Sequence, residues 1–281
     1  RQFFFGYSSS SEGGGFQKDT CDTFALCNIA LEPNSTKREL VNKLTRITGT
    51  SVYNDTESPY YKAACEWVNF LGGKSDEESK QSSLLQHYFL ALIYFINNGE
   101  EWVNSTSWLT DESFCSWHGI SCDIYDIITS MDLSCNNLVG TIPTEIAELR
   151  GIEQLVLSSN HISGTIPVEL GKLLKLKNLN ASHNIMMGDL PSAIGLLTDI
   201  VEIDLSSNQL ANAIPSEIGM LENIEVFDLY NNTFSGEIPD SFYALTGLKH
   251  LCLRANLFAG DVRRVGGFFN LEMLDLSDNF F

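Results

Sequence analysis

The chain has 281 residues, of which 43% are hydrophobic, so it can bury a substantial core. Its formal net charge of −19 at pH 7 argues against partners that carry dense negative charge, namely nucleic acids and anionic membrane surfaces. The longest apolar run, within LLQHYFLALIYFI at residues 84–96, falls well short of the roughly 20 residues that a membrane-spanning helix needs, so no span is expected in this chain.

The first 80 residues divide into an arm and a helical extension. Residues 1–20 form the predicted arm, because RQFFFGYSSSSEGGGF combines aromatic side chains with Ser and Gly runs that are typical of a flexible segment. Alternatively, these aromatic side chains dock on a neighbouring surface, such as another copy of the chain. Residues 21–80 form the extension. Apolar residues recur there at helical spacing in 37–48 and 59–71, and Ser58–Pro59 predicts the start of the second helix.

Residues 81–127 are predicted to cover the first of the repeats that follow. A mostly buried helix over 81–97 ends at Asn98–Gly99, a pair that favours helix termination. The next stretch, EEWVNSTSWLTDESFCSWHGISCD at 100–123, contains W-x5-W followed by C-x-W-x-G-x-x-C. Its apolar area comes from three large side chains, Trp102, Trp108 and Trp117.

Residues 128–281 repeat a 24-residue unit about six and a half times, beginning with MDLSCNNLVGTIPTEIAELRGIEQ at 131–154. Hydrophobic residues alternate with polar ones at 131/133 and at the same place in each later unit, which predicts a short strand that faces inward. Stacked units form a solenoid with a parallel sheet of strands about 4.8 Å apart. A recurrent buried Asn can bond backbone groups that the coil leaves unpaired, and it stands at Asn136, Asn160, Asn184, Asn208, Asn232, Asn256 and Asn279.

Each unit then turns towards a short helical segment. An Ile–Pro or Leu–Pro pair directs the chain into this segment, and the sixth unit, with Val262–Arg263 instead, is expected to be irregular. The seventh unit stops at Phe281 with no C-terminal cap, and we expect further residues to follow it. Asn212 takes the place of the glycine at which a side chain would obstruct the turn in the other units, namely Gly140, Gly164, Gly188, Gly236 and Gly260.

The pattern L-x-x-N-x-L-x-G-x-I-P-x-x-L-x-x-L resembles the plant-type leucine-rich-repeat family of receptor ectodomains and secreted binding proteins. The tryptophans and cysteines of 100–123 resemble the N-terminal cap of those proteins, which implies a cross-link between Cys115 and Cys122. The stretch SPYYKAACEWV…LLQHYFLALIYF resembles the upstream region of secreted or membrane-anchored leucine-rich-repeat proteins of diatoms and related algae. The resemblance implies an α/β leucine-rich-repeat solenoid with a parallel sheet on its concave face, helical or 3-10 segments on its convex face, and a helical N-terminal extension and cap.

Seven cysteines leave at least one without an intrachain partner. Cys252 is the candidate free thiol, because it lies five predicted coils from Cys135, about 24 Å away, whereas a disulfide needs Cα atoms within about 7 Å. Two of the three cysteines in the extension are expected to pair, namely Cys21, Cys27 and Cys65. Disulfides in the cap imply an oxidising compartment, so we expect the chain to be extracellular or at the cell surface after passage through the secretory pathway.

Five Asn-x-Ser/Thr sequons are present. Asn34, Asn54 and Asn104 lie in predicted loops and are the candidates for N-glycosylation. Asn180 and Asn231 lie on or beside the predicted sheet, where a glycan would cover part of a binding face.

The sequence offers no motif for catalysis, metal or cofactor. We find no nucleophile elbow, phosphate loop, HExxH or kinase signature, and C-x6-C beside His118 is poor spacing for zinc. A catalytic carboxylate pair needs a pocket that shifts one pKa, and an open sheet offers none. We therefore expect no catalytic residue, metal or cofactor and no enzyme activity. This expectation includes the carboxylates that share one outward column, Asp132, Asp204, Asp228 and Asp275.

The outward positions of the predicted sheet are small and polar in the early units and change in units five and six. Tyr and Arg are enriched at binding hot spots. The alternative is ordinary variation of a solvated surface. The candidate ligand-binding residues are Val226, Asp228, Tyr230, His250 and Arg254.

Two functions are compatible with these features. The first is a non-catalytic recognition module that binds a protein, peptide or polysaccharide on the concave face. The second is a structural subunit of an extracellular or cell-surface assembly. Its contacts would be made by the N-terminal arm, through which the chain would self-assemble, and by the ends of the solenoid.

Overall fold

The computed structural model describes residues 55–72, 81–262 and 268–281. Two helices precede the repeats, α1 (Pro59–Gly72) and α2 (Gln81–Ile96), and they confirm the helices predicted over 59–71 and 81–97. The chain leaves α2 through Asn98, which adopts the left-handed conformation with φ of 56°. Predictions for the arm (1–20), the helix at 37–48, Cys21, Cys27, Asn34 and Asn54 lie outside the described residues.

Short strands and single turns of 3-10 helix alternate through the rest of the described chain. The strands are β1 (Ile120–Cys122), β2 (Ile128–Asp132), β3 (Val139–Thr141), β4 (Gln154–Val156), β5 (His161–Ser163), β6 (Asn178–Asn180), β7 (Met187–Asp189), β8 (Glu202–Asp204), β9 (Gln209–Asn212), β10 (Val226–Asp228), β11 (Thr233–Gly236), β12 (His250–Cys252), β13 (Leu257–Phe258) and β14 (Met273–Asp275). The 3-10 helices of the cap are Gly99–Glu101 and Phe114–Ser116, and those of the repeats are Thr144–Glu148, Val168–Lys172, Ser192–Leu196, Ser216–Met220 and Asp240–Ala244.

Each repeat helix begins directly after a proline, as the Ile–Pro and Leu–Pro pairs predict. Pro143, for example, has φ of −72° and ψ of 150°, an extended conformation that the proline ring favours. The N–H of Leu149 then bonds the carbonyl of Ile146 at 3.0 Å and closes the turn. In the sixth unit, residues 259–262 contain no 3-10 helix, and residues 263–267 lie outside the described chain.

Eight strands form the main sheet in the order β1-β2-β4-β6-β8-β10-β12-β14. β1 pairs antiparallel with β2, and the other neighbours pair in parallel, so the predicted parallel solenoid is confirmed. From β4 onward, each strand of the main sheet begins and ends one residue before the hydrophobic pair from which it was predicted. Leu155 lies within β4, whereas Leu157 follows it, although the N–H of Leu157 still bonds the Asn180 carbonyl of the next coil at 2.7 Å.

The recurrent Asn side chains bind backbone groups of two neighbouring coils. Oδ1 of Asn160 accepts from the N–H of Asn136 at 3.0 Å and of Leu138 at 2.9 Å. Its Nδ2 donates to the carbonyl of Leu133 in the preceding coil at 2.8 Å, and to two carbonyls of its own coil. These side chains therefore hold consecutive coils together. Equivalent bonds recur at Asn184, Asn208, Asn232, Asn256 and Asn279.

A second set of short strands, which the sequence did not predict, follows the Asn of each coil. It forms a four-stranded sheet in the order β13-β11-β9-β7 and a separate pair, β3 with β5. Gly140 is required for a different reason from the other turn glycines, because a Cβ there would overlap the carbonyl oxygen of Ile96 at the end of α2. In the later coils, the residue that ends the turn adopts the left-handed conformation, with φ from 65° to 101°, which favours Gly. These residues are Gly164, Gly188, Asn212, Gly236 and Gly260.

The cap closes the first coil with aromatic side chains and an antiparallel strand. Trp108 meets Trp102 edge-on at a ring distance of 4.8 Å and also contacts Trp117 at 5.1 Å. The indole N–H of Trp102 donates to the carbonyl of Asn97 at 2.8 Å, which satisfies its buried polar atom. Because β1 pairs with the outer edge of β2, that edge is not left free in the first coil.

Candidate binding face of the parallel sheet

Three columns of side chains project outward from the main sheet, and together we call them the sheet face. The register of the strands forms the first column from Ser130, Gln154, Asn178, Glu202, Val226, His250 and Met273. It forms the second column from Asp132, Val156, Asn180, Asp204, Asp228, Cys252 and Asp275. The third column directly follows the strands and consists of Ser134, Ser158, Ser182, Ser206, Tyr230, Arg254 and Ser277.

An Asp or Asn in the second column fixes the backbone of the residue two positions later. Oδ1 of Asp204 accepts from the N–H of Ser206 at 3.0 Å and from its hydroxyl at 2.7 Å. Asn180 makes the same two bonds with Ser182 at 3.1 Å and 2.7 Å, so an amide serves this turn as well as a carboxylate does.

The five predicted binding residues lie together on two adjacent coils and are called the Tyr230 patch. Val226 pairs in register with His250, and Oδ1 of Asp228 accepts from the N–H of Tyr230 at 2.7 Å. The Tyr230 side chain is 37% exposed, and the guanidinium carbon of Arg254 lies 5.9 Å from its ring centroid, within cation–π range. The patch therefore presents an aromatic ring that is held by its backbone and by a neighbouring cation.

Two aspartates of the seventh coil neutralise the charge of Arg254. Its Nε donates to Oδ2 of Asp278 at 3.0 Å, and its Nη1 lies 4.0 Å from Oδ2 of Asp275. His250 lies 3.7 Å from the carboxylate of Glu272. Asp278 was not among the predicted binding residues, because it lies one position beyond Ser277, the residue that follows Arg254 in the third column.

The carboxylates in and beside the Tyr230 patch lie in different environments. Burial raises the pKa of Asp228, the charges of Asp204 and Asp275 raise it further, and the N–H of Tyr230 opposes this rise. Burial also raises the pKa of the neighbouring Cys252 thiol. The pKa of Asp275 is lowered, because the hydroxyl and the N–H of Ser277 donate to its carboxylate. Negative charge is thus crowded where Asp228 lies among the other aspartates.

Of the five cysteines in the described residues, three are disulfide-bonded and two are free thiols. Cys115 and Cys122 form a disulfide with Cα atoms 5.5 Å apart. Cys65 is disulfide-bonded as well. Cys252 is a half-buried free thiol, and exposed Cys135 is a second.

The sequon at Asn104 lies in a loop of the cap. Its Nδ2 lies 3.1 Å from Nδ1 of His118, and its Oδ1 accepts from the hydroxyl of Thr106 at 2.7 Å. A glycan replaces one of the two amide hydrogens, and the other can keep the contact with His118. Glycosylation at Asn104 stays a prediction.

Residues 55–72, 81–262 and 268–281 contain neither a metal-binding cluster nor a membrane-spanning helix. No group of three or more His, Cys, Asp or Glu side chains is arranged to hold a metal ion in these residues. Neither α1 nor α2, nor any 3-10 helix among them, combines the length and apolar character needed to cross a membrane.

The family profile described as Leucine Rich Repeat matches residues 128–149, 151–173 and 223–245. The crystal structure of PEPR1–AtPEP1 is similar, with 28% identity, coverage of 64% of this chain and 27% of that chain, and a TM-score of 0.60. The ectodomain of the Arabidopsis receptor kinase HAESA, solved with an N-terminally extended IDA peptide hormone, has 32% identity, coverage of 59% and 29%, and a TM-score of 0.56.

A plant ice-binding protein is also similar, with 25% identity, coverage of 69% of this chain and 70% of that chain, and a TM-score of 0.55. The chain spans less than a third of the length of either receptor chain. The matched repeats and these likenesses agree with the parallel solenoid described above, whose coils are leucine-rich repeats.

Proposed function

We propose that this leucine-rich-repeat chain is a non-catalytic recognition module of the extracellular space or cell surface. It binds a protein, peptide or polysaccharide partner on the sheet face, with the Tyr230 patch as the centre of contact. The observation that carries the proposal is the change of surface at coils five and six. Earlier coils present Ser in the third column, whereas these coils present Tyr230 and Arg254 beside Val226.

The geometry of the patch suits a binding hot spot. Tyr230 offers a large amphipathic surface whose backbone is fixed by Asp228, so little conformational entropy is lost when a partner packs on it. Arg254 is held by Asp275 and Asp278 and is therefore ordered before binding. Aromatic residues and Arg that are ordered in this way dominate the energy of many interfaces.

The similar structures support the same class of function. The HAESA ectodomain was crystallised with a peptide hormone, and the PEPR1 structure is described as a complex with AtPEP1. The disulfide between Cys115 and Cys122 supports a location where thiols are oxidised.

The test is an unbiased peptide-display selection on the complete chain, followed by measurement of Kd for the selected peptides. Tyr230→Ala is expected to weaken binding at least about tenfold, the loss typical of a hot-spot residue. The matched control is Val168→Ala, because Val168 is 59% exposed at the start of a 3-10 helix, away from the sheet face. Selected peptides that bind Tyr230→Ala as tightly as the unchanged chain would show that the patch is not the binding site.

A further inference from the structure

The sheet face carries far more negative than positive charge. Its three columns contain five carboxylates and one guanidinium, that of Arg254. Two of the carboxylates belong to Asp204 and Asp228, which are direct neighbours in register on β8 and β10, strands that lie about 4.8 Å apart. The other three are Asp132, Glu202 and Asp275.

The basic side chains on and beside this face already have acidic partners. Arg254 is bound by Asp275 and Asp278, as described above. At the edge of the sheet, Lys177 bonds Glu153 at 2.8 Å, and Lys249 bonds Glu225 at 2.7 Å. Because these three cations bind other carboxylates, they do not neutralise the negative charges of Asp204 and Asp228.

The two neighbouring carboxylates keep capacity for a further donor. Oδ1 of Asp204 accepts hydrogen bonds from the N–H and the hydroxyl of Ser206. Its Oδ2 accepts none within the part of the chain that the structure describes. Oδ1 of Asp228 accepts from the N–H of Tyr230, and the Cys252 thiol adds only a weak donor. A cationic group between these carboxylates would relieve their mutual repulsion and gain charge-assisted hydrogen bonds.

From this complementarity we infer that the occupant of the sheet face is an extended cationic peptide segment whose Lys or Arg side chains meet Asp204 and Asp228. This inference rests on the proposed function and specifies the chemistry of its partner. Tyr230 and Val226 would contact an apolar or aromatic side chain of the same segment. A neutral polysaccharide would leave the paired carboxylates unused, and an anionic one would be repelled by them.

The dimensions of the face set the length of the segment. Asp204, Asp228, Cys252 and Asp275 occupy four consecutive strands, so the outer two are about 14 Å apart. An extended chain advances about 3.3 Å per residue, and four or five residues therefore cross this distance. Two basic residues within such a stretch can reach both Asp204 and Asp228.

The test uses two synthetic peptides of the same length, each with a central Trp, in which Ser alternates either with Lys or with Glu. The Lys peptide is expected to bind at least about tenfold more tightly than the Glu peptide, and its binding should weaken as salt is raised. The double variant Asp204→Asn/Asp228→Asn should lose at least about tenfold in affinity for the Lys peptide. Asn180 makes the same turn in the same column, so this variant is expected to fold.

The matched control is Asp199→Asn/Glu222→Gln, which removes the same net charge. Asp199 and Glu222 are exposed residues outside the three columns. Equal binding of both peptides, or an equal loss in the two double variants, would overturn the inference. If peptides without basic residues bind and depend on Tyr230, the cation preference is wrong and the proposed function stands. If no selected peptide depends on Tyr230, the proposed function itself fails.

Discussion

At the scale of single residues, Asp228 gives a prediction about pH. Its pKa is raised by burial in the folded chain, so ionisation is less favourable there than in the unfolded chain. The stability linked to this group is complete below the unfolded pKa and is lost as the pH rises through the folded pKa. Asn cannot ionise, and it can still accept the N–H of Tyr230. We therefore expect Asp228→Asn to stabilise the fold near neutral pH, by up to about 1 kcal/mol after allowance for solvent screening.

Urea unfolding of both proteins near neutral pH and at about pH 3 checks this prediction. The difference in the free energy of unfolding between the two proteins should shrink at the lower pH, because the Asp228 carboxyl of the unchanged chain is then protonated and, like Asn, carries no charge. Asp132→Asn is the control, because Asp132 is exposed and its carboxylate likewise accepts the N–H of the residue two positions later, Ser134, together with the Ser134 hydroxyl. A loss of stability in Asp228→Asn near neutral pH would contradict the assigned cost of its ionisation.

The recurrent Asn side chains that bond neighbouring coils, which we call the Asn ladder, give a prediction about stability. Replacing Asn160 with Ala removes the partners of buried backbone groups on two coils, including the N–H of Leu138 and the carbonyl of Leu133. Each buried group that loses its partner costs about 1–3 kcal/mol, so we expect a loss of at least about 3 kcal/mol in the free energy of unfolding. Exposed Asn223 makes a single bond, to the carbonyl of Thr198, and Asn223→Ala should cost less than about 1 kcal/mol. Similar losses in both variants would show that the ladder bonds contribute little.

The sequence predicts some of these side-chain contacts but not others. The role of Asn160 can be predicted, because a polar residue at a fixed place in every coil has one consistent use, the pairing of backbone groups. The partners of Arg254 could not be predicted, because the repeat period places Asp278 one coil away without fixing the conformation of an exposed side chain. The Tyr230 patch follows from register alone, but its internal charge balance does not.

At the scale of elements, the repeat period identifies which residues face inward but not which backbone groups pair between coils. The second set of strands was missed for this reason, since β7, β9, β11 and β13 follow the Asn rather than an alternating pattern. From β4 onward, the strands of the main sheet also begin one residue before the predicted pairs, because the inward alternation does not fix which backbone groups pair. Gly140 was assigned to a turn, whereas the close approach of α2 explains it.

The cap gives the prediction at this scale. Cys115 and Cys122 are seven positions apart in the sequence, and closing so short a loop is worth about 2–3 kcal/mol in chain entropy of the unfolded state. We expect the double variant Cys115→Ser/Cys122→Ser to lose this amount in the free energy of unfolding. Cys135→Ser is the matched control, because Cys135 is an exposed free thiol whose replacement should change stability by less than about 0.5 kcal/mol. An unchanged stability in the double variant would mean that the aromatic contacts hold the cap alone.

At the scale of the whole molecule, the sequence was sufficient to predict the solenoid, because each coil contacts its neighbours through the same inward residues. It was less informative about association, since the same chain is compatible with a monomeric binding module and with a structural subunit. The two hypotheses use different surfaces. A binding module uses the sheet face, and a subunit assembles through the aromatic arm of residues 1–20 and the ends of the solenoid.

Light scattering on the complete chain and on a chain that lacks residues 1–16 separates these hypotheses. A recognition module that binds its partner on the sheet face needs no contact with copies of itself, so we expect the mass of one chain in both preparations, 31.2 kDa before trimming. The measurement requires enzymatic deglycosylation, because glycans at any of the sequons would add mass. A polymer that falls to single chains on trimming would contradict the recognition module and favour the structural subunit, since the arm would then carry the contacts. Because trimming leaves Tyr230 and Asp228 untouched, peptide binding by the trimmed chain also tests whether the sheet face acts independently of the arm.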